Sequence, residues 1–272
     1  MNTAEPDVFA AENVEFSYGD KTSAVHALAQ LSFRLRRGEF VSIVGPSGCG
    51  KSTLLRIVAG ILPPTGGIVS GTSTADRLAG RVAMMFQSPV LVPWRDTIGN
   101  VLLIEQLRSG RLRSRRQAEA RARKLLDLVR LGDFSGKYPF ELSGGMQQRA
   151  SLARAFFLQP QLMLLDEPFG ALDAFTREEM NLELQRIWMT QRMTVLLVTH
   201  DLNEALLLAD RVIVMSDRPG RILLEKRISL SRPRNPDAKY HPEFLTAHRE
   251  VYAALHGAMG TSRRRCDISR QD

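Results

Sequence analysis

The feature that most constrains this chain is a glycine-rich segment between an apolar run and a helix-forming run. The apolar run, Phe40–Val44, is short and nearly continuous, as in a buried strand. It leads into Gly-Pro-Ser-Gly-Cys-Gly-Lys-Ser-Thr at residues 45–53, which satisfies G-x-x-x-x-G-K-[ST] and opens a helical run over residues 51–60. In that context the segment predicts a loop whose backbone amides surround phosphate oxygens at the positive N-terminal end of a helix.

Every residue of this phosphate loop is a candidate ligand of a nucleotide, and two have a more specific role. Lys51 supplies a mobile positive charge, and the Ser52 hydroxyl is suited to bind Mg²⁺. Cys49 is expected to fill the loop as a small side chain with no chemical role. The candidate nucleotide-binding residues are Gly45, Pro46, Ser47, Gly48, Cys49, Gly50, Lys51, Ser52 and Thr53.

Two adjacent carboxylates follow a second apolar run, at residues 162–165. Because neighbouring side chains at a strand end face different directions, Asp166 and Glu167 can have different roles. Asp166 is expected to hold the Mg²⁺ shell. Glu167 is then available to polarise a water molecule for in-line attack on a γ-phosphate.

A second glycine turn precedes these acids, in the sequence Leu-Ser-Gly-Gly-Met-Gln-Gln-Arg at residues 142–149. Ser143 can cap a helix whose first turn contains Gly144 and Gly145, which leaves backbone amides and a hydroxyl exposed to an anion. Each glycine costs about 1 kcal/mol of helix stability relative to alanine, and the sequence shows no packing gain in return. The turn is therefore predicted to be a second phosphate cradle.

This turn resembles the LSGGQ signature of ATP-binding cassette (ABC) proteins, and the resemblance covers roughly residues 8–230. It implies that Tyr18 stacks on adenine, that Gln87 joins the metal site to a helical subdomain, and that His200 meets the γ-phosphate. It also implies that Asp173 lies in the loop that touches a facing subunit. The implied cofactors are ATP and Mg²⁺. The implied catalytic residues are Glu167, His200, Lys51 and Gln87, and the implied metal ligands are Ser52, Gln87 and Asp166.

The fold expected from these patterns is an α/β P-loop NTPase core with a mostly parallel sheet. Apolar alternation at residues 8–16 and 31–35 predicts an N-terminal antiparallel β subdomain, and helical periodicity at 115–131 predicts an inserted α-helical subdomain at about 90–158. The ATPase domain is expected to cover residues 8–230. A short basic extension follows at 231–272, with one short helix near residues 248–256.

Composition limits the remaining possibilities. The 272 residues are 44% hydrophobic and 24% charged, which suits one sizeable globular domain. The apolar runs are too short to cross a bilayer, and residues 1–7 contain two acids and no apolar region, so we expect a cytoplasmic location. Cys49 and Cys266 are too far apart in sequence to suggest a disulfide or zinc site. The net charge of +8 includes a basic segment at residues 111–124, which a solvated helix face, an anionic membrane or nucleic acid could each explain.

Finer resemblance indicates one branch of the family. Leu-Val-Pro-Trp at residues 91–94, Asn100-Val101, and Ser-Asp-Arg-Pro-Gly-Arg-Ile at residues 216–222 are similar to importers of nitrate, alkanesulfonates and taurine. Phe140 and Met146 depart from the commonest family residues, neither at a phosphate-facing position. The segment around Trp94 is predicted to dock a partner, the alternative being that Trp94 is a core residue.

The resemblance also implies partners. They are a second ATPase subunit in a nucleotide-bridged homodimer, transmembrane permease subunits, and a periplasmic or lipid-anchored solute-binding protein. The chain would then lie at the cytoplasmic face of the inner membrane, with no nucleic acid bound.

Other classes fit the sequence less well. Soluble P-loop kinases and GTPases do not explain the turn at residues 142–145, and no N-K-x-D guanine motif is present. Repair ATPases insert long coiled coils between the two motifs, whereas here only 89 residues separate Thr53 from Ser143. Translation ATPases fuse two cassettes, and this chain has one. An ABC exporter subunit remains an open alternative.

Overall fold

A computed structural model of the chain describes residues 7–19, 23–71, 81–109 and 115–268. The chain divides into two compact units, of which the first contains residues 1–72 and 194–272 and the second contains residues 73–193. The strands are β1 (Asp7–Tyr18), β2 (Val25–Arg36), β3 (Phe40–Val44), β4 (Gly66–Ser70), β5 (Val82–Met85), β6 (Leu162–Asp166), β7 (Thr194–Val198), β8 (Arg211–Met215) and β9 (Ile222–Arg227). The helices are α1 (Lys51–Val58), α2 (Thr97–Ser109), α3 (Arg115–Leu128), α4 (Gly144–Phe157), α5 (Ala174–Gln191), α6 (Leu202–Leu208) and α7 (Pro242–Ile268).

The first unit contains the predicted antiparallel strands. β1 pairs antiparallel with both β2 and β4, so the expectation of an N-terminal antiparallel sheet is confirmed. Alternate side chains of β2 are buried, among them Leu31, Phe33 and Leu35, which is the period of two that the sequence shows.

A parallel group of strands in the same unit carries the phosphate loop. β3 lies between β7 and β8 and is parallel to both, while β9 adds to β8 antiparallel. All five residues of β3 are buried, which explains why the strand is continuously apolar. The loop at residues 45–53 therefore leaves the carboxyl end of a central strand.

The second unit combines a parallel strand pair with helices. β5 and β6 are parallel, with Met85 opposite Leu165, so both strands end at the same edge. The predicted helix at residues 115–131 is observed as α3, whose buried face includes Ala122 and Leu126. Of the basic segment at residues 111–124, residues 111–114 lie outside the described residues.

The C-terminal region departs most from the expectation. The short helix predicted near residues 248–256 is wrong in length, because α7 has 27 residues. Its buried side chains recur at helical spacing and pack against α6, β8 and β9. Those side chains are Phe244, Ala247, Val251 and Leu255.

Two arginines in the segment that leads to α7 form hydrogen bonds with residues at and just after the end of α6. Arg234 is 3% exposed and donates to the carbonyl oxygens of Leu206 at 2.8 Å and Ala209 at 2.7 Å, and burial lowers its pKa to about 10. Arg232 donates to Asp210 at 2.8 Å. The carbonyls at the end of α6 thus receive side-chain donors from outside the helix.

Within the described part of the chain, no helix has the length and apolar character that crossing a membrane requires.

Candidate nucleotide site

The phosphate loop of the first unit has the backbone that its glycines suggest. Gly48 and Gly50 have φ of 76° and 102°, which is the left-handed region where a side chain is strained. A Cβ at Gly50 would also lie 2.8 Å from the carbonyl oxygen of Ala27. Gly50 occupies the N-cap of α1 and supplies no side-chain cap to the first amides of the helix. The loop therefore presents backbone donors at a positive helix end, as an anion site requires.

Lys51 places its charge within this loop. The side chain is 6% exposed, and its Nζ donates to the carbonyl oxygens of Gly45 at 2.8 Å and Pro46 at 2.7 Å. A buried ammonium held by backbone carbonyls is oriented before any anion arrives. The loop thus combines neutral amide donors with one fixed cation.

Cys49 is buried inside the loop. Burial raises the pKa of its thiol, and the nearby Lys51 ammonium opposes that effect only in part. The side chain therefore packs as a neutral thiol, as expected of a small filler. The Cys266 side chain lies outside the described residues.

Tyr18 and His200 are the candidate nucleotide-site residues of the first unit that do not belong to the phosphate loop. The Tyr18 hydroxyl lies 2.9 Å from Thr53 Oγ1, and the ring meets Phe16 edge-on, so the Tyr18 ring is tethered beside α1. His200 is exposed and lies two residues after the end of β7. The next residue, Asp201, caps α6 by accepting hydrogen bonds from the first amides of that helix. Stacking on adenine and contact with a γ-phosphate stay predictions for these two side chains.

The carboxylates of the second unit lie at the end of β6. Asp166 is the last residue of the strand and is 4% exposed. Glu167 has φ of 47°, an uncommon conformation for a residue other than glycine, and turns the chain out of the strand. Gln87 Nε2 donates to Glu167 Oε2 at 3.1 Å. This contact follows from the parallel pairing of β5 and β6, because both residues come after strands that end at one edge.

The second glycine turn confirms one expectation and corrects another. Ser143 is the N-cap of α4, and its Oγ accepts from the Met146 amide at 3.3 Å. The expectation that neither glycine gains packing holds for Gly144, because a Cβ there would meet no described heavy atom within 4 Å beyond its chain neighbours and the backbone of its own helix. It is wrong for Gly145, where a Cβ would lie 2.7 Å from Leu172 Cδ2.

Comparison with known proteins decides between the possible P-loop classes. The family described as ABC transporter matches residues 28–170 of this chain. The chain belongs to the ABC transporter family. It is an ATPase that binds ATP, and the kinase and GTPase alternatives are excluded.

Relatives and solved structures extend the ABC match over most of the chain. The aliphatic sulfonates import ATP-binding protein SsuB 1 of Agrobacterium fabrum is 44% identical over 250 residues, covering 92% of this chain and 84% of that protein. The taurine import ATP-binding protein TauB of Rhizobium johnstonii is 43% identical over 239 residues, covering 85% and 90%. The dimeric structure of the ATP-binding cassette MJ0796 bound to ADP and Pi matches with a TM-score of 0.74 and 31% identity, covering 82% of this chain and 100% of that chain.

One residue of this ABC site was missed from the sequence. Gln148, on α4, is buried and donates through Nε2 to the Gln87 carbonyl oxygen at 3.3 Å. Its Oε1 accepts from the Ala171 amide at 3.3 Å. Gln148 thus joins the signature helix to the segments that carry Gln87 and Asp173. The available signal was the pair of adjacent glutamines, Gln147 and Gln148, that follows the glycines. The sequence alone does not say which of these two side chains points inward.

Asp173 has a local role of its own. It is the N-cap of α5, and its Oδ1 accepts from the Thr176 amide at 2.9 Å. That hydrogen bond lowers the pKa of the Asp173 carboxyl. The residue expected to touch a facing subunit is therefore held in one orientation by its own helix.

Proposed function

We propose that the chain energises the uptake of a small anion, such as an aliphatic sulfonate, taurine or nitrate, as the ATP-hydrolysing subunit of an ABC importer. The similarity to sulfonate and taurine import ATP-binding proteins, across 92% and 85% of the chain, is the observation that carries this proposal. The branch-like segments around Trp94 and at residues 216–222 agree with it.

ATP binds through the phosphate loop in this proposal. The amides of residues 45–53 and the Lys51 ammonium hold the phosphates, and Tyr18 offers its ring to adenine. Mg²⁺ fits the available ligands, since the Ser52 hydroxyl and the buried Asp166 carboxylate are oxygen donors of the kind it prefers, with Gln87 as a third. When bound, Mg²⁺ neutralises charge that develops between the β- and γ-phosphates.

Hydrolysis depends on Glu167 in this proposal. Its carboxylate accepts the proton of the attacking water as the water adds to the γ-phosphorus and the bond to the β-γ bridging oxygen breaks. The hydrogen bond from Gln87 Nε2 to Glu167 Oε2 holds the carboxylate in place. Lys51 and His200 stabilise charge on the transferred phosphoryl group.

A second copy completes the site. Residues 143–145 of one chain cover the γ-phosphate bound by the other, and Asp173 lies at the same interface. The dimeric state of the MJ0796 cassette bound to ADP and Pi supports this arrangement.

The partner in the membrane is a permease, which docks on the loop that carries Trp94. Trp94 is 77% exposed, so the alternative of a core tryptophan is wrong. The loop is held rigidly by Asn100, whose buried side chain accepts from the Val92 amide at 2.7 Å and donates to the Arg95 carbonyl oxygen at 3.0 Å. A rigid loop that exposes a tryptophan suits a protein interface. The chain then lies at the cytoplasmic face of the inner membrane, and a periplasmic or lipid-anchored binding protein delivers the solute.

The test is to identify the partner proteins and their solute. The tagged chain is purified from membranes of its source, and the binding protein encoded or recovered with the permease is titrated by calorimetry with nitrate, taurine and aliphatic sulfonates. Tight binding of one of these anions is expected. Tight binding of a sugar or peptide instead contradicts the branch assignment, and a permease without any binding protein favours an exporter.

A further inference from the structure

A loop outside the motifs of the nucleotide site contacts the phosphate loop from within the same unit. Residues 216–221 connect β8 to β9. Arg218 in this connection donates to the Gly48 carbonyl oxygen twice, from Nε at 3.2 Å and from Nη2 at 3.0 Å. Gly48 lies in the middle of the phosphate loop, 170 residues away in sequence.

The connection is held firmly enough to act as a support. The Gly220 amide donates to the Ala27 carbonyl oxygen at 2.9 Å, and the Gly220 carbonyl accepts from the Ala29 amide at 3.1 Å. Ser216 Oγ accepts from the Arg221 amide at 2.9 Å, which closes the connection on itself. Its backbone is thus tied to β2 independently of Arg218.

Close contact with the phosphate loop also explains why residue 220 of this connection is a glycine. A Cβ on Gly220 would lie 2.3 Å from the Cys49 carbonyl oxygen, closer than real Cβ contacts allow. The backbone of the connection therefore rests directly on the backbone of the loop. Arg218 reaches from this contact to the preceding peptide group, between Gly48 and Cys49.

We propose that Arg218 is a positioning residue that fixes the Gly48–Cys49 peptide group and so directs the Cys49 amide toward the nucleotide phosphates. This inference rests on the proposed binding of ATP by residues 45–53. In a trans peptide the carbonyl and the following N–H point in opposite directions, so holding the Gly48 oxygen on one side places the Cys49 N–H on the other.

Gly48 needs such a restraint because the backbone of a glycine has more conformational freedom than that of other residues. At φ of 76° a glycine can change conformation with little steric cost, and the peptide group after it can rotate. The Cys49 amide makes a long hydrogen bond of 3.4 Å to Pro46, which leaves it available to a stronger acceptor. The Arg218 guanidinium also adds a positive charge close to the loop without entering it.

The experiment measures nucleotide affinity of the full chain by calorimetry. Arg218→Gln is expected to weaken ADP binding about fivefold, as for loss of the exposed charge-assisted hydrogen bonding to one carbonyl oxygen. Its affinity for AMP, which lacks the β-phosphate that a P-loop holds, is expected to stay unchanged. The KM for ATP should rise while kcat at saturating ATP stays near that of the wild type. Arg218→Lys, which keeps a charged donor, should recover part of the ADP affinity.

Arg221→Gln is the matched control. It removes the same charge from the same connection, and the Arg221 side chain is exposed and has no hydrogen bond or ion pair to other described residues. It should bind ADP as the wild type does. Gly220→Ala is a second variant, expected to weaken ADP binding because its methyl group displaces the Cys49 carbonyl.

The outcomes separate this inference from the proposed function. A wild-type chain that binds neither ATP nor ADP overturns the proposed function. Wild-type ADP affinity in Arg218→Gln overturns the positioning role alone. Equal losses for ADP and AMP together with a lower melting temperature also overturn it, since they show that Arg218 only stabilises the fold.

Discussion

The phosphate loop (residues 45–53) and the second glycine turn (residues 143–145, called the signature turn below) are both glycine-rich segments at a helix N-terminus, yet their surroundings differ. In the loop, Cys49 and Lys51 are buried, and added Cβ atoms at Gly45 and Gly50 would meet neighbouring atoms within 3.0 Å. In the turn, Ser143 and Gly144 are exposed, and a Cβ at Gly144 would meet open space.

The difference indicates which glycines the chain needs for its own folding. The glycines of the loop are required by positive φ or by close packing, so intramolecular contacts explain them. Gly144 has no such reason and costs helix stability. The proposed contact with a phosphate bound to another copy would account for a glycine at this position. Gly145 is intermediate, since Leu172 already limits its space.

The largest expected effect is on catalysis at Glu167. Glu167→Gln keeps the shape and the contact with Gln87 but removes the base, so hydrolysis should fall by ~10²–10⁴. ATP affinity should remain, because the phosphate loop is unchanged. Phosphate release and ATP binding measured on the same preparation check both statements. Hydrolysis within a few-fold of the wild type would assign the base elsewhere.

The next prediction asks whether the signature turn is half of a site. In the Glu167→Gln background the chain should be dimeric with ATP and monomeric with ADP. Adding Ser143→Arg places a bulky side chain where the phosphate docks, and should abolish the dimer while ATP stays bound to single chains. Light scattering on a sizing column measures each state. A double variant that dimerises equally well would mean that the turn does not bind nucleotide.

A third prediction concerns Trp94, an exposed side chain of the second unit. Trp94→Ala should fold and hydrolyse ATP alone as the wild type does, because the side chain is 77% exposed. Stimulation by the permease should be lost, at a cost of roughly 2 kcal/mol in docking, as for an interface tryptophan. ATPase assays in vesicles with and without the permease check this. Full stimulation of the variant would place the docking surface elsewhere.

The fourth prediction tests how tightly the phosphate loop is packed. Cys266→Ser leaves Cys49 as the single thiol of the chain. Because burial raises the pKa of Cys49, its thiolate is scarce at pH 8, and alkylation should be roughly tenfold or more slower than in urea. The raised pKa also shifts the rise of reactivity to higher pH. Equal rates in native and urea-unfolded chains would show that the loop opens freely.

The smallest effect is on stability, and it separates the two glycines of the turn. Gly144→Ala should raise the free energy of unfolding by up to about 1 kcal/mol, since alanine favours the helix and meets open space. It should nevertheless weaken the ATP-dependent dimer. Gly145→Ala should gain less or lose stability, because its methyl group approaches Leu172. Urea unfolding of both variants gives the comparison, and lower stability in Gly144→Ala would contradict it.

Local features of this protein were predictable from sequence. The strand β3, the phosphate loop and the start of α1 follow from consecutive residues, as does the capping of α4 by Ser143, whose partner amide is three residues away. Such features depend on backbone preferences and on side chains within one turn, which a linear pattern records directly.

The sequence by itself thus determined the fold class, the phosphate loop and the paired carboxylates. The tertiary structure decided the contact of Gln148 with Gln87 across 61 residues, that of Arg218 with Gly48 across 170 residues, and the exposure of Trp94. It also decided the length of α7, because the apolar face of this helix packs against α6, β8 and β9, which are distant from it in sequence. The physical reason is that periodicity and motifs report local preference, whereas these features arise where distant segments meet and exclude water.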